Sequence, residues 1–420
     1  MTRRHGVPRI LVAVLLLAFP AAGAQVFAPR ADLANPITFS VTSTADSGPG
    51  SLRQVMNDVN AQCLRFDIHQ PCIIDFKLST PVPAEGWYTI EPLSPLPVFM
   101  ADDVTIDAET QTALTGDTNP LGPEVFLLGD RAGATDGLAT AGGLALRGVA
   151  IGGFAGNGVT VFAGTIERNY VGLDPTGTHA VPNGLNGVNA KSPRGTITID
   201  RNVISGNRGS GIDLDSFSNT FTISNNRIGV AAQSDDPVPN GTSGIFVAHA
   251  AVFFGAQIEG NVIQFNNESG IEIQGDGVRI LDNVVARNGN RAIRVVDSSG
   301  RSVQGPTVEF ATFDAQSGQT VVNGTGAVTG LLSTYQQTAT VYLYANDAAV
   351  SEGQRFIGSS MTDSQGHFSL AVNADLRGLW ITGTTDRVID FHDFVSRNSS
   401  EFGPPHPVTT DPARRRIVRR

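Results

Sequence analysis

Two aspartates separated by one residue, Asp213 and Asp215, form the arrangement in this sequence best suited to chemistry. They follow Gly211 in an alternation of apolar and acidic residues. A β-strand would therefore direct both carboxylates to the same side, about 6.5–7 Å apart. Carboxylates at this spacing can accept hydrogen bonds from sugar hydroxyl groups, and they also suit an inverting glycosidase pair with water between them. Their role depends on the residues that the fold brings beside them.

An internal repeat, which starts near residue 165, predicts those neighbours. Its Asn-x-(Ile/Val) steps are 33, 24, 35 and 22 positions apart and begin at Asn169, Asn202, Asn226, Asn261 and Asn283. A small residue and an apolar alternation follow each step, at Gly187, Gly211, Gly244, Gly270 and Ala292. The base period is thus about 22–24 residues, which is typical of a solenoid.

Two of the intervals are longer because they carry insertions of about ten residues. The insertions, 172–184 and 229–241, resemble each other, and both end in Val-Pro-Asn-Gly. Turn-forming residues dominate both segments. We therefore expect them to be loops that protrude from one edge of the coil.

Units this short cannot bury their apolar residues alone, so successive units must stack. Stacked coils about 4.8 Å apart give each strand two hydrogen-bonded neighbours and place Ile and Val inside. The repeated asparagines would then form side-chain amide ladders, which is a structural role. A leucine-rich horseshoe is the rival solenoid, but its Leu-x-x-Leu-x-Leu frame is missing. The repeat predicts a right-handed parallel β-helix.

Aligning the units produces two columns of outward side chains on one sheet. The first column is Asn189, Asp213, Phe246, Glu272 and Arg294, and the second is Lys191, Asp215, Ala248, Gln274 and Val296. A sugar could stack on Phe246 while the neighbouring acids accept its hydroxyl groups. His249, at the end of the Phe246 strand, is the candidate general acid or base.

These columns leave three interpretations open. The face binds polysaccharide or a cell-surface glycan, with Asn189, Lys191, Phe246, His249, Gln274 and Arg294 as binding residues. Alternatively, it is a hydrolase or lyase site that uses Asp213, Asp215 and Glu272 as catalytic residues. In the third interpretation an exposed sheet simply carries polar residues, and opposite charges on adjacent strands stabilise it modestly. Calcium at Asp213 and Asp215 would need further oxygen ligands, for example from loop carbonyls or Asp235-Asp236, because it takes six to eight.

Several segments resemble bacterial exported right-handed parallel β-helix repeat proteins with the pectate-lyase-like fold. The resemblance covers most of residues 37–300 and rests on Thr42–Arg53 (TSTADSGPGSLR), Pro95–Pro97, Val104–Asp107, Thr110-Gln111, Val171–Gly177 and Pro182–Gly184. It implies the fold and export, and also an immunoglobulin-like module after the β-helix. It says little about activity. The Asn-Thr-Asp motif of polygalacturonases, the Arg-x-Pro-x-x-Arg motif of pectate lyases and the Asp-Pro-His-Asp motif of alginate epimerases are all absent.

The N-terminal part of the chain predicts export and a cap. Residues 1–24 combine Arg3, Arg4 and Arg9 with an apolar run of about ten residues and Ala22-Gly23-Ala24, which is typical of a signal peptide; an uncleaved anchor is the alternative. Residues 37–61 suit a cap over the first coil, formed by a strand, a turn and a short amphipathic helix with Val55 and Val59 inward.

Two cysteines follow the predicted cap. Cys63 and Cys72 are nine positions apart, and an exported chain favours a disulfide between them over two free thiols. The sequence contains no metal-binding Cys/His cluster around them. The pair therefore predicts a structural crosslink rather than a metal site.

The C-terminal part of the chain predicts a second domain. Residues 303–403 show strand patterns at 10–15-residue spacing with turn signals between them, which indicates a small β-sandwich. Its ending, Asn398–Phe402, resembles the last strand of the immunoglobulin-like modules that follow these β-helices. Residues 404–420 predict a disordered basic tail, and contact with a membrane surface is the alternative.

The net negative charge limits the classes of molecule that the protein is expected to bind. The chain has 29 basic and 39 acidic residues, and loss of Arg3, Arg4 and Arg9 would leave 26 against 39, a net charge of −13. This balance argues against nucleic acid. No segment after residue 24 is long and apolar enough to span a bilayer. We therefore expect an all-β protein, secreted or periplasmic, whose oligomeric state and enzymatic activity the sequence leaves open.

Overall fold

The computed structural model describes residues 35–64, 71–79, 81–191, 195–215, 220–326, 339–390 and 395–410, without the side chains of 249–255, 387–390 and 395–398. The predicted signal peptide and residues 411–420 lie outside these ranges. The described chain is a right-handed parallel β-helix followed by a small β-sandwich, as the sequence predicts. Within these ranges no helix has the length and apolar character needed to cross a membrane.

The described residues of the β-helix form two helices and strands β1 to β22. Its first part consists of β1 (Ile37–Val41), α1 (Leu52–Cys63), β2 (Cys72–Phe76), β3 (Tyr88–Ile90), β4 (Val104–Asp107), α2 (Glu109–Thr115), β5 (Val125–Leu128), β6 (Leu138–Ala139), β7 (Gly143–Arg147), β8 (Val149–Gly152) and β9 (Val159–Val161). The next strands are β10 (Ala163–Glu167), β11 (Tyr170–Val171), β12 (Val188–Lys191), β13 (Ile197–Asp200), β14 (Val203–Ile204), β15 (Ile212–Asp215), β16 (Phe221–Ser224) and β17 (Arg227–Ile228). The last are β18 (Ile245–Glu259), β19 (Val262–Gln264), β20 (Ile271–Leu281), β21 (Val284–Ala286) and β22 (Ile293–Val296).

Each complete coil contributes one strand to each of three faces. The first face is β4, β7, β10, β13, β16 and the second halves of β18 and β20. The second face is the eight-stranded sheet of β3, β5, β8, β11, β14, β17, β19 and β21. The third face is β6, β9, β12, β15, the first halves of β18 and β20, and β22. Because β18 pairs with both β15 and β16, the first and third faces join in one fourteen-stranded sheet.

Stacked aliphatic side chains fill the coil. On the first face five isoleucines lie in register, each at most 2 % exposed: Ile166, Ile199, Ile223, Ile258 and Ile280. Burying a side chain of this size stabilises the folded state by roughly 1.5–3 kcal/mol. The repeat thus specifies a continuous core, and the alternation in each strand separates it from the outer surface.

Asparagine ladders hold the turns between the first and second faces. The side-chain Oδ1 of Asn202 accepts hydrogen bonds from the backbone nitrogen and Nδ2 of Asn169, at 2.9 and 3.1 Å. The same pattern continues through Asn226, Asn261 and Asn283, so the predicted ladder is confirmed. A second ladder, which the sequence analysis missed, lies after the strands of the second face in the chain. It consists of Asn183, Asn207, Asn240, Asn266 and Asn288.

The N-terminal cap agrees with the sequence prediction. Ser51 caps α1 by accepting a hydrogen bond from the Gln54 backbone nitrogen, and Val55 and Val59 are buried against the first coil. A disulfide joins Cys63, the last residue of α1, to Cys72, the first residue of β2, which confirms the predicted pairing. The cap is therefore crosslinked to the sheet that it covers.

Both insertions are loops that pack over the second face. An isolated antiparallel bridge closes each of them, Leu173 to Ala180 in the first and Val230 to Pro237 in the second. Leu173, Ala231 and Val238 form a small apolar cluster with Val203, which points outward from the second face. The loops therefore cover part of this sheet instead of standing free of it.

Two sheets form the C-terminal domain. One contains β23 (Thr307–Asp314), β24 (Gln319–Thr325), β27 (His367–Val372) and β31 (Thr409–Thr410), and the other contains β25 (Ala339–Asn346), β26 (Arg355–Met361), β28 (Trp380–Asp390), β29 (Val395–Ser399) and β30 (His406–Pro407). Apolar residues of both sheets, among them Phe313, Val341 and Phe368, share one core. The predicted disordered tail is wrong for residues 404–410, because the short strands β30 and β31 pair there with β28 and β23.

The sandwich packs directly on the last coils of the β-helix. Tyr344 and Phe402, whose ring centroids are 5.3 Å apart, belong to the same apolar core as the β-helix interior. Gly353 and Val285 exchange two backbone hydrogen bonds of 2.9 and 3.0 Å. Asp386, which is 3 % exposed, forms an ion pair with Arg279 of β20 at 3.2 Å. The domain thus closes the C-terminal end of the coil.

Candidate functional site

The third face carries the acidic columns that the repeat predicts. Register pairs place Thr160, Asn189, Asp213, Phe246, Glu272 and Arg294 on successive strands, and we call these six residues the outer column. The residues between them point into the core; Ile212 and Leu214, for example, are at most 1 % exposed. Strand spacing makes the column about 24 Å long. The predicted positions on this face are therefore confirmed, whereas the roles of the residues stay predictions.

The second column lies beside the first. Lys191 pairs in register with Asp215, and Gln274 pairs with Val296. Ala248 pairs with Asp215, but a register shift follows Val247 in the pairing of β18 with β20, so this column is less regular. Lys191 and Gln274 are exposed, and Asp215 is half-buried. The column brings one cation next to the pair of aspartates.

Asp213 has an environment unlike that of an ordinary surface carboxylate. Partial burial raises the pKa of Asp213, and the neighbouring Asp215 raises it further. Asn186 Nδ2, which donates to Asp213 Oδ2 at 3.1 Å, and the charge of Lys191 act in the opposite direction. Desolvation is the largest of these causes. Perturbed carboxyls of this kind are typical of functional sites, although structural networks also produce them.

A hydrogen-bonded chain that the sequence analysis missed leads to Asp213. The Asn186 backbone nitrogen donates to Asn157 Oδ1 at 3.1 Å, and the Asn157 backbone nitrogen donates to Asp136 Oδ1 at 2.7 Å. The other oxygen of Asp136 accepts from Thr160 Oγ1 of the outer column at 2.7 Å. Asn157-Gly158 and Asn186-Gly187 precede equivalent strands, which is the sequence signal that could have revealed this chain.

Glu272 and Arg294 form an ion pair at the C-terminal end of the outer column. Glu272 Oε1 also accepts a hydrogen bond from Gln274 Nε2 at 3.3 Å. Its side chain is only 13 % exposed, whereas that of Arg294 is 41 % exposed. A carboxylate bound in this way is poorly placed for proton transfer, so among the predicted catalytic acids Asp213 and Asp215 are the better pair.

The remaining predicted residues divide into two groups. Asn189 and Phe246 are half-buried and lie in register on the two strands next to Asp213, one on either side. His249 lies in β18, but its side chain is outside the described residues, and its predicted role as acid or base stays a prediction. The described residues of the column thus combine an aromatic group, amides and carboxylates.

Among the described residues, no hydrogen bond or ion pair joins either insertion loop to the outer column. Their hydrogen bonds lead to the second face and to the loop before β5: Asn119 Nδ2 donates to Pro175 O at 2.9 Å, and Gln233 Nε2 donates to Leu121 O at 3.3 Å. A groove walled by these loops would favour an enzyme, whereas an open sheet face favours binding of a long polymer. Among the described residues no group of three or more His, Cys, Asp or Glu side chains is arranged to hold a metal ion.

The match to a protein-family model agrees with the fold. Residues 148–313 match the family model described as a right handed beta helix region, which is less than half of the chain. Among solved structures, the A-module of the mannuronan C-5 epimerase of Azotobacter vinelandii matches with 14% sequence identity and a TM-score of 0.32. That match covers 53% of this chain and 62% of the epimerase module, so this chain spans less than two thirds of that module. The comparison with curated proteins finds no significant match.

Proposed function

We propose that this protein binds polysaccharide or a cell-surface glycan along the outer column of the third face. The observation that carries the proposal is the register that places Phe246 between Asp213 and Glu272 on one outward sheet face. A pyranose ring can stack its C–H face on the phenyl ring while carboxylates and amides hydrogen-bond its hydroxyl groups. A column about 24 Å long would contact several sugar units of one chain.

A glycan array and titration calorimetry test this proposal. The Asp213→Asn/Asp215→Asn and Phe246→Ala variants should each lose at least about tenfold in affinity, since removing one good contact costs about 1.4 kcal/mol. Thr222→Ala, at a half-buried outward position of the first face, is the matched control and should bind as the wild type does. Glycan binding that survives both column variants would remove this face from consideration.

A second candidate function, a polysaccharide hydrolase or lyase, is favoured by one observation. Asp213 has a raised pKa and lies two residues from Asp215 on the same side of the strand. Enzymes commonly assign the roles of acid and base to two carboxyl groups whose environments differ. In this mechanism Asp213 would protonate the glycosidic oxygen and Asp215 would activate water. Their separation along the strand, about 6.5–7 Å, is that of an inverting pair.

Product analysis separates the two functions. The mature protein is incubated with neutral and acidic polysaccharides, and reducing ends and unsaturated products are measured. Catalysis predicts release that falls by about 100-fold or more in Asp213→Asn, the typical contribution of a general acid. Binding without turnover in the wild type would leave the first proposal and exclude the second.

We further propose that the protein is secreted or periplasmic, with the β-sandwich as an immunoglobulin-like module. Residues 1–24 support export, and the Cys63–Cys72 disulfide is typical of an oxidising compartment. In the sandwich β27 pairs with β24 and β24 with β23, while the second sheet runs β26-β25-β28-β29. This division of consecutive strands between two sheets supports an immunoglobulin-like arrangement. N-terminal sequencing of protein recovered from each cell fraction tests the location and the cleavage site.

A further inference from the structure

An open pocket of about 570 Å³ lies beside the N-terminal cap, apart from the outer column. Its lining includes the segment Thr42–Thr44 that follows β1, together with Glu85 and Trp87, just before β3. Thr42–Thr44 belong to the segment Thr42–Arg53, whose resemblance to β-helix repeat proteins indicated the fold. They are not part of the outer column. The volume falls within the range of about 300–1,000 Å³ that small-ligand sites usually have.

The turn that carries Glu85 and Trp87 is held firmly in place. Gly86 has φ +92°, and a Cβ at this position would lie 2.4 Å from Thr118 O. Thr118 Oγ1 donates to Gly86 O at 2.7 Å, and Gly86 N donates to Pro83 O at 3.0 Å. Tyr88 is buried, and its hydroxyl group donates to Ser79 O at 3.0 Å. Trp87 is therefore presented half-exposed from a rigid turn.

Hydroxyl-bearing side chains line the pocket together with the tryptophan. Thr42, Thr44 and Thr89 are exposed, and their side-chain oxygens have no hydrogen-bond partner among the described residues. Gly50 leaves space for Thr42, because a Cβ there would lie 2.1 Å from Thr42 Oγ1. Among the described lining residues, the pocket thus combines an aromatic surface with several hydroxyl groups and one carboxylate, that of Glu85, and none of them is Lys or Arg.

We propose that this pocket binds a neutral saccharide unit. Its apolar ring face stacks on Trp87, and its hydroxyl groups bond to Glu85 and to the threonine hydroxyls, which can both donate and accept. A uronate is disfavoured because the one charged residue of the described lining, Glu85, is also negative. An extended peptide fits less well because β3, the terminal strand of its sheet, offers an edge of only three residues. The site is independent of the binding function proposed for the outer column.

Tryptophan fluorescence provides a local readout in the full mature chain. The protein has two tryptophans, Trp87 and Trp380, so the Trp380→Phe variant reports on the pocket alone. Cellotetraose, mannotetraose, xylotetraose, chitotetraose (N-acetylated) and tetragalacturonate are titrated separately. The proposal expects a saturable change with at least one neutral oligosaccharide and none with tetragalacturonate.

Two substitutions in the Trp380→Phe background test the contacts. Glu85→Gln and Thr89→Val should each weaken the saturable response by about tenfold. Thr307→Val, an exposed threonine of β23, is the matched control, and melting curves verify that each variant is folded. Asp213→Asn/Asp215→Asn should leave the response unchanged, which separates this site from the outer column. The proposal is overturned if no neutral oligosaccharide gives saturation, if tetragalacturonate or an extended peptide binds more tightly, or if neither pocket substitution has an effect.

Discussion

The partly buried carboxylate of Asp213 lowers the stability of the fold, whereas its place in the outer column suits the proposed binding. Its carboxylate is partly desolvated, and Asp215 on the same strand side adds repulsion, so the charged form is unfavourable in the folded state. Asn186 and Lys191 compensate only in part, because the pKa of Asp213 remains raised. A residue of this kind weakens the fold at neutral pH and is expected where function requires it.

The pH dependence of Asp213→Asn tests this balance. The folded state keeps the Asp213 proton to a higher pH than the unfolded state, so stability falls as pH rises from the unfolded pKa through the folded one. The variant, which cannot ionise, should therefore have a higher Tm than the wild type at pH 7. The difference should disappear near pH 3, where Asp213 is protonated in both states. Scanning calorimetry at both pH values measures it; an equal or lower Tm at pH 7 would contradict the assignment.

At the scale of elements, the asparagine ladder fixes the turns between the first and second faces. The residue before each ladder asparagine has a positive φ, for example 53° at Arg168, 54° at Arg201 and 56° at Asn225. A left-handed residue reverses the chain within one position but leaves backbone groups that no strand can pair. The buried amide of the following asparagine satisfies those groups in its own coil and in the neighbouring one. The turn and the ladder therefore require each other.

Substituting Asn226, in the middle of the ladder, should be strongly destabilising. Asn226→Ala removes the acceptor for the Asn202 backbone nitrogen and the donor to Ile199 O, which are buried groups. Leaving two or three such groups unpaired costs about 2–5 kcal/mol. Urea unfolding measures the loss, and Asn267→Ala, at an exposed asparagine of the same β-helix, serves as the control. A change below about 1 kcal/mol would show that water replaces the ladder without cost.

The disulfide acts at the same scale, because it links the cap helix α1 to β2. Replacing Cys63 and Cys72 together by alanine should lower the free energy of unfolding by about 2.5 kcal/mol, from the chain entropy of the short loop that the bond closes. Proteolysis should then begin near the cap before the rest of the β-helix. Comparison of the oxidised wild type, the reduced wild type and the double variant separates the bond from the side chains. Equal stability of all three would show that the packing of α1 holds the cap alone.

At the scale of the whole molecule, both ends of the coil are covered. The helix α1 covers the first coil, and the sandwich packs on the last ones. Glu401, whose side chain is 8 % exposed, accepts hydrogen bonds from Arg291 and from Ser302 Oγ, both at 2.6 Å. It also accepts one from the Val295 backbone nitrogen at 3.3 Å. Open ends of a β-helix would offer unpaired strands to other chains, so this junction protects against association.

Glu401→Ala should weaken the junction specifically. The Val295 backbone nitrogen and the Arg291 guanidinium lose a buried partner, which costs about 2–4 kcal/mol. We expect the sandwich and the β-helix of the variant to unfold in separate calorimetric transitions. Glu309→Ala, at an exposed position of β23, is the control and should leave the profile unchanged. A single transition at the wild-type temperature would show that the apolar contacts of Tyr344 and Phe402 suffice.

The sequence by itself determined the coil and the positions on its faces. In a stacked repeat, residues at equivalent positions of successive coils lie in register on the same face. The reason is that strands must keep hydrogen-bonded register and their side chains must alternate between core and surface. For this reason Asn189, Asp213, Phe246, Glu272 and Arg294 could be aligned from spacing alone. The same logic predicted the asparagine ladder, and the spacing of Cys63 and Cys72 predicted the disulfide.

Only the tertiary structure decided which loops and domains cover each surface. The insertion loops pack over the second face, Glu272 is neutralised by Arg294, and Asp136 reaches Asp213 through Asn157 and Asn186. Residues 404–410 join the sandwich instead of a disordered tail. Such contacts depend on how irregular segments without a repeat pack together, so the spacing of residues in the sequence does not predict them. Strand register depends only on neighbouring strands, whereas the loops and domains that cover a sheet depend on how the whole chain packs.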